Sequence, residues 1–438
     1  MTPSTDSAPE EEARLASFLE RRREAAAAAW GLDRELVLIH AGERIAVPGR
    51  GDQTYPFRAH AEYLYLTDRE RPSGVLAFDP QDGWTDFVAP TTEHELLWEG
   101  GGAGGSDGTP LPELSGWLAA REGRPIARLG APGAGAPAEQ QLDRDVRAGL
   151  NRVRRPKDAL ELARMRRAEQ ITREAFAEVV PQIEAGRSER ELQLVIETAF
   201  RRRGVAFVAY DTIVGSGPNS AVLHFPPTDK RLADGELVLI DAGAEYRAYA
   251  SDVTRTYPVS GRFTPEQAEL VAIVRAAGEA ATRRCTAGAR WTKVHREAAL
   301  VVAEGLVAFG LLRGEPEALV EQGADFLFFP HGVGHMVGLG VRDTGELLRT
   351  RAATADDESA AARIDLELVP GQVLTVEPGI YFVPALLRDP ERRARHRDAV
   401  DWDRVERMLD FGGIRIENNV LITDGAPEVL TADVPVPA

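Results

Sequence analysis

The chain has 438 residues, more than one typical hydrophobic core organises, so two domains are expected. Hydrophobic residues make up 43% of it, but no apolar run approaches the ~18 residues of a membrane helix. A formal net charge of -17 argues against nucleic acid or an anionic membrane as partner, because both need a basic face.

The opening MTPSTDSAPEEEARL is acidic and polar and lacks the basic start and apolar core of a signal peptide, so a cytoplasmic protein is expected. Residues 11–30, rich in Ala, Glu, Arg and Leu, predict a helix. LVLIHAG (37–43) and GVLAFDP (74–80) read as short buried strands bounded by turn residues. Gly/Pro-rich stretches at 100–113 and 129–139 read as loops. Pro156, Lys157 and Asp158 suit a helix start, and Leu160, Leu162, Met165 and Ile171 supply its apolar face. A domain boundary is placed near 155, giving an N-terminal domain over 1–155 and a second over 156–438. Helices are expected at 188–203, 264–284 and 293–312, and strands at 236–243, 248–259, 372–383 and 413–423. There is no repeat, and the pattern is α+β, with strands paired by hairpins. The one cysteine, Cys285, excludes an internal disulfide, and with no histidine near it in sequence it reads as a passive thiol.

Two features carry chemistry. In HGVGHMVGLGVRD (331–343), His331 and His335 stand four apart, as on one face of a helix, yet glycines at 332, 334, 338 and 340 argue against a helix. Four acids are embedded in apolar, β-rich stretches: Asp241 ends the run Leu237 to Ile240, Asp252 follows eleven residues later, Glu377 lies in QVLTVEPGIYF and Glu417 in GIRIENNVLIT. The segment between Asp241 and Asp252 can fold back as a hairpin and bring the two together. Any one such acid could face solvent, but four buried and unpaired would cost many kcal/mol. Two divalent cations would balance them, with one neutral imidazole completing the shells. Oxygen-rich ligation with a single histidine favours Mn2+ over a Cys/His zinc site.

These residues and their contexts resemble the dinuclear pita-bread metallopeptidases, and within them the proline-specific branch of aminopeptidase P and Xaa-Pro dipeptidase (prolidase). TIVGSGPNSAVLHF, LVLIDAGAEYRAYASDVTRTYPVSG, HGVGH, LTVEPGIYF and GGIRIENNVLIT carry the resemblance, which covers about residues 155–430. DQTYPFRAHAEYLYLT and LLWEGG are similar, less strongly, to that branch's N-terminal domain. The resemblance implies a curved antiparallel sheet with helices outside it, and a smaller α/β domain that caps the site. It implies a homodimer or homotetramer acting on short proline-containing peptides. It makes Asp241, Asp252, His335, Glu377 and Glu417 the ligands of two metal ions, Mn2+ first, with Co2+ or Zn2+ as alternatives. Asp241 and Asp252 would chelate one ion, Asp252 and Glu417 would bridge both, and His335 and Glu377 would complete the other. Glu377 would act as general base and then acid toward the proline nitrogen, with His331 and His224 donating hydrogen bonds to substrate and oxyanion. Tyr381 and Arg415 would orient Asp241 or the substrate.

The chain departs from the family pattern at Arg342, where a substrate-binding histidine is usual. An arginine there cannot release a proton but can grip a carboxylate, and it is expected on the substrate's C-terminal side. Arg349 resembles a prolidase arginine that holds the dipeptide carboxylate. The insertion after Glu377 also leans toward prolidase, whereas the N-terminal motifs lean toward aminopeptidase P. The expected activity is hydrolysis of Xaa-Pro dipeptides, with the aminopeptidase acting on longer peptides as the alternative. A non-catalytic binding module on the same fold is a distant third, since a relic would have no reason to keep five ligands.

Overall fold

A computed structural model describes residues 8–100, 107–133, 135–344 and 366–436. Arg349, the acidic ADDESA stretch at 355–360 and the glycine run at 101–106 lie outside the described residues. The chain divides into two compact units, Met1–Arg154 and Arg155–Ala438. Among the described residues no helix is long and apolar enough to cross a membrane.

The first unit is built on a five-stranded mixed sheet. Its strands are β1 (Leu36–His40), β2 (Val75–Asp79), β3 (Gly83–Val88), β4 (Thr109–Pro110) and β5 (Ile126–Gly130), in the order β4-β3-β2-β1-β5. β1 and β2 are the two expected strands, and nearly every residue in them is buried because the sheet's centre is covered on both faces. The helix expected over 11–30 spans Ala8–Trp30.

The second unit carries strands β6 (Ile213–Ser216), β7 (Leu237–Asp241), β8 (Glu245–Tyr246), β9 (Tyr249–Ala250), β10 (Thr254–Pro258), β11 (Val373–Val376), β12 (Gly379–Tyr381), β13 (Gly413–Arg415), β14 (Asn418–Leu421) and β15 (Glu428–Val429). Among the described residues all their pairings are antiparallel, in the orders β10-β7-β6, β11-β14-β15, β12-β13 and β8-β9. The helices start where capping chemistry allows. Asp158 caps the helix Ala159–Val179 in a reciprocal box with Glu161, Ser188 caps Glu189–Arg202 with Glu191, and Thr264 caps Pro265–Arg284 with Gln267. The first two helices share a core with β6, β7 and β10, and the helices Pro265–Arg284 and Trp291–Ala308 share another with β11 to β14. Cys285 is buried in the latter core, and burial alone pushes its thiol up to about 12.

The structure differs from the expected strands in one systematic way. Three of the runs read as continuous are each broken in two: 248–259 at Ser251–Val253, 372–383 at Glu377–Pro378, and 413–423 at Ile416–Glu417. Each gap holds one of the four acids, and the fourth, Asp241, is the last residue of β7. A carboxylate in a gap is freed from the strict alternation of a pleated strand and can turn toward a common centre.

Candidate metal centre and active site

The backbone around these acids is held by residues of the adjoining strands. Thr254 pairs with Asp241 across β10 and β7. Asn419 clamps the main chain of Asp252, accepting from Asp252 N at 3.0 Å and donating to Asp252 O at 2.9 Å. Glu417 N donates to Thr254 O at 3.0 Å, Thr254 Oγ1 donates to Glu417 Oε2 at 2.6 Å, and the buried Arg255 guanidinium donates to Glu417 O at 2.5 Å. These bonds fasten the Asp252 and Glu417 gaps to each other.

Residues 333–337 form an extended segment alongside β11. Val337 N donates to Val373 O at 3.1 Å, Thr375 N to His335 O at 2.8 Å and Glu377 N to Val333 O at 2.8 Å. The glycines make this possible. A Cβ on Gly334 would lie 2.0 Å from Thr375 O, and one on Gly338 2.4 Å from Lys157 Cε, so no other residue fits either position without backbone or side-chain displacement. His335 therefore comes from this extended segment and His331 from the bend just before it, so their spacing of four is not helix spacing.

The ring orientations follow from the acceptors around them. His335 Nδ1 faces Met336 O at 3.1 Å, and a carbonyl can only accept, so Nδ1 carries the hydrogen. The Nε2 lone pair then points at Asp252 Oδ2 (3.4 Å) and Glu377 Oε1 (3.7 Å). Asp252, His335 and Glu417, all buried, each offer a ligand atom within 4.8 Å of the others. A lone pair facing carboxylates is repulsive unless a proton or a cation lies between them. Burial, then Asp252 and Glu377, hold the Glu417 carboxyl well above its ordinary range. Burial also raises Glu377, against the opposing pull of His335 and Arg415. Burial disfavours the charged His335, but Asp252 and Glu377 outweigh it, so its basicity is raised. Three buried carboxylates and the half-buried Glu377, with Arg415 as the paired guanidinium, make a donor set that fits divalent cations.

Asp241 is held differently. Oδ1 accepts from Tyr210 Oη at 2.6 Å and Oδ2 from Arg415 Nη2 at 2.7 Å. Arg415 Nη1 also donates to Tyr381 Oη at 3.0 Å. His331 Nδ1 lies 2.8 Å from Gly332 O, so it is the donor, and Nε2 accepts from Tyr381 Oη at 2.9 Å. Burial and Arg415 push His331 down to about 3, which keeps it neutral. Both of its ring nitrogens are thus engaged within the protein. Its ring approaches Glu377 at 3.9 Å, Nδ1 to Oε2.

The five candidate ligands, with Tyr210, His331 and Arg415, line one cavity of about 750 Å³, a usual size for a small-molecule site, and Tyr381 lies buried behind them. His224 and Arg342 lie on its wall, both exposed, and neither forms a hydrogen bond or ion pair among the described residues. Burial, then Arg342, lowers the basicity of His224. The structure brings Asp241, Asp252, His335, Glu377, Glu417, His331, Tyr381 and Arg415 together. Sequence reasoning missed Tyr210, Thr254, Thr375 and Asn419. Thr254 was legible, two residues past Asp252 on a strand-like run. Tyr210 had no local signal, since its partner is 31 residues away.

Comparisons with known proteins identify the family. The model of metallopeptidase family M24 matches residues 163–424, and that of the aminopeptidase P N-terminal domain matches residues 18–109. The chain belongs to metallopeptidase family M24, with the pita-bread fold in its second unit. Its relatives point more narrowly. A probable Xaa-Pro aminopeptidase of Paracoccidioides brasiliensis is 31% identical over 420 residues, covering 90% of this chain and 89% of the relative. The aminopeptidase PepP structure of Pseudomonas aeruginosa superposes with a TM-score of 0.77 at 29% identity, covering 96% of this chain and 95% of that one. Aminopeptidase P of E. coli, solved with the inhibitor Pro-Leu, gives 0.76 and 29%, with the same coverage. These relatives favour the aminopeptidase, which had been the alternative, over the dipeptidase.

Proposed function

We propose that this chain is an Xaa-Pro aminopeptidase that removes the first residue from short peptides with proline second, using two divalent ions. Asp241, Asp252, His335, Glu377 and Glu417 would hold the ions, and an oxygen-rich set with one imidazole favours Mn2+. When bound, such ions neutralise the carboxylates, lower the pKa of water and polarise the scissile carbonyl.

The protein's own groups supply the rest. Glu377 is next to the converging donors yet its side chain is 16% exposed toward the cavity, and burial raises its basicity, so it suits taking a proton from water and passing it on. The proline nitrogen carries no N–H in the peptide, so a proton delivered from Glu377 lets it leave as an amine. Tyr210 and Arg415 fix Asp241 from both sides. Thr254 fixes Glu417, and Thr375 Oγ1 faces Glu377 Oε1 at 3.3 Å. Tyr381, which receives Arg415 and donates to His331, holds that ring at the cavity wall, while His224 is free to meet substrate.

The observation that carries this reading is the His335 lone pair converging with the carboxylates of Asp252 and Glu417 beside Glu377. The test is release of Xaa from an Xaa-Pro-Yaa tripeptide and of proline from an Xaa-Pro dipeptide, with metal-stripped protein and with added Mn2+. Mn2+-dependent tripeptide cleavage, lost by about 10²-fold or more in Glu377→Gln, is expected. Cleavage of the dipeptide alone would make it a dipeptidase, and metal-independent or absent cleavage of both would refute the reading.

A further inference from the structure

Arg342 stands apart from the other cations of the site. Arg415 is buried and spent on Asp241, Thr254 and Tyr381. Arg190, also on the cavity wall, bonds Asp229 and Pro227 O. Arg342 lines the same cavity and has neither a hydrogen bond nor an ion pair among the described residues. A guanidinium that faces open solvent gains nothing from a fixed backbone, but this one has a backbone fixed on both sides. On one side Gly340 N donates to Ala248 O at 3.1 Å, and Ala250 N donates to Gly338 O at 2.8 Å. On the other, Asp343 N donates to Met336 O at 3.1 Å, and the Asp343 carboxylate is tied to Lys157 Nζ at 2.8 Å with both side chains buried. The adjacent carboxylate is thereby engaged by Lys157. The guanidinium lies near enough to His224, His331 and His335 to disfavour their protonated forms.

We infer that Arg342 binds the free C-terminal carboxylate of the peptide, so that the site selects short peptide acids over their amides and over longer chains. This rests on the peptidase reading above. A peptide substrate carries one ammonium terminus, which a guanidinium repels, and one carboxylate terminus, which it can grip with two parallel hydrogen bonds. The carboxylate lies on the leaving-group side of the scissile bond by the direction of the chain. Because Arg342 lines the same cavity as the converging donors, the carboxylate it would meet is one that ends the peptide soon after the proline. The basic group thus acts as a ruler for length.

The test compares a Xaa-Pro-Yaa free acid with its C-terminal amide, in hydrolysis by the Mn2+-loaded enzyme and in binding by calorimetry. Arg342→Gln and Arg342→Lys are the variants, both at an exposed position. The wild type is expected to favour the acid by about 10- to 100-fold in kcat/KM, mainly through KM, as a charge-assisted pair allows. Arg342→Gln should bring acid and amide to within about twofold, with the amide unchanged, and Arg342→Lys should restore part of the preference. Equal treatment of acid and amide by the wild type, or a loss in Arg342→Gln shared by both, would overturn the inference while leaving the peptidase reading intact. An acid preference in binding that disappears in Arg342→Gln, with no Xaa-Pro hydrolysis at all, would uphold the carboxylate site and overturn the peptidase reading instead.

Discussion

Replacing Glu417 by glutamine should move the stability of the metal-free and metal-loaded protein in opposite directions. Without metal, Glu417 is a buried carboxylate among Asp252, Glu377 and Asp241, and it is held well above its ordinary pKa by burial and by those neighbours. Removing its charge relieves that repulsion, and a glutamine oxygen can still accept from Thr254 Oγ1 in place of the 2.6 Å bond. The metal-free variant should therefore melt higher than the metal-free wild type. With metal the order reverses. A ligand present at a hundredfold excess over its Kd stabilises the fold by about 2.7 kcal/mol. In a unit the size of Arg155–Ala438, that corresponds to a rise in Tm of about 4–5 °C. The wild type should show this rise on adding Mn2+, and Glu417→Gln should lose most of it. Differential scanning calorimetry of both proteins, with chelator and with Mn2+, reads all four values. A metal-free variant that melts lower than the metal-free wild type, or one that keeps the full Mn2+ shift, would refute the account of these carboxylates as a destabilising cluster awaiting cations.

Gly334→Ala should push residues 333–337 off β11, since its Cβ would meet Thr375 O at 2.0 Å, and Mn2+ binding by calorimetry should weaken at least tenfold even where the protein still folds. His295, half-buried and accepting from Val333 N at 3.2 Å, is pushed down to about 4 by desolvation. Its folded pKa lies below its unfolded value near 6.5, so its contribution of about 3 kcal/mol is complete above that value and is lost as the pH falls from there toward 4. Urea midpoints of wild type and His295→Asn should converge over that window, and a gap that stays constant from pH 7 to 4.5 would contradict this. Cys285, with its thiol pushed up to about 12 and no exposure, should resist a thiol reagent in the native protein and react only as fast as the chain unfolds.

The residues of the centre were legible because burying a carboxylate in an apolar run demands compensation, and four such runs demanded it together. The helix starts were legible too, as with Asp158 and Thr264, because capping is local chemistry. The gaps were not. VLTVEPGIYF reads as one strand, and only the pairing of β11 with β14 and of β12 with β13 reveals that Glu377 stands between two ladders. Tyr210 and Asn419 were invisible for a related reason, since their partners are 31 and 167 residues away and nothing nearby marks the contact. The spacing of His331 and His335 was ambiguous until the glycines were weighed, and those glycines mark close packing against Thr375 and Lys157. The preference for a dipeptidase rested on Arg349, which lies outside the described residues, and on an insertion whose likeness to prolidase the relatives do not support.

Placing the acids in the gaps between ladders has a consequence for how such a protein can change over time. The main-chain hydrogen bonds that close β7 on β10, β11 on β14 and β12 on β13 do not pass through the side chains of Asp252, Glu377 or Glu417. Inheritance of the scaffold and inheritance of the chemistry are therefore separable. A lineage could exchange these residues for others, shedding the metals or acquiring a new reaction, while the frame that presents them is passed on unaltered.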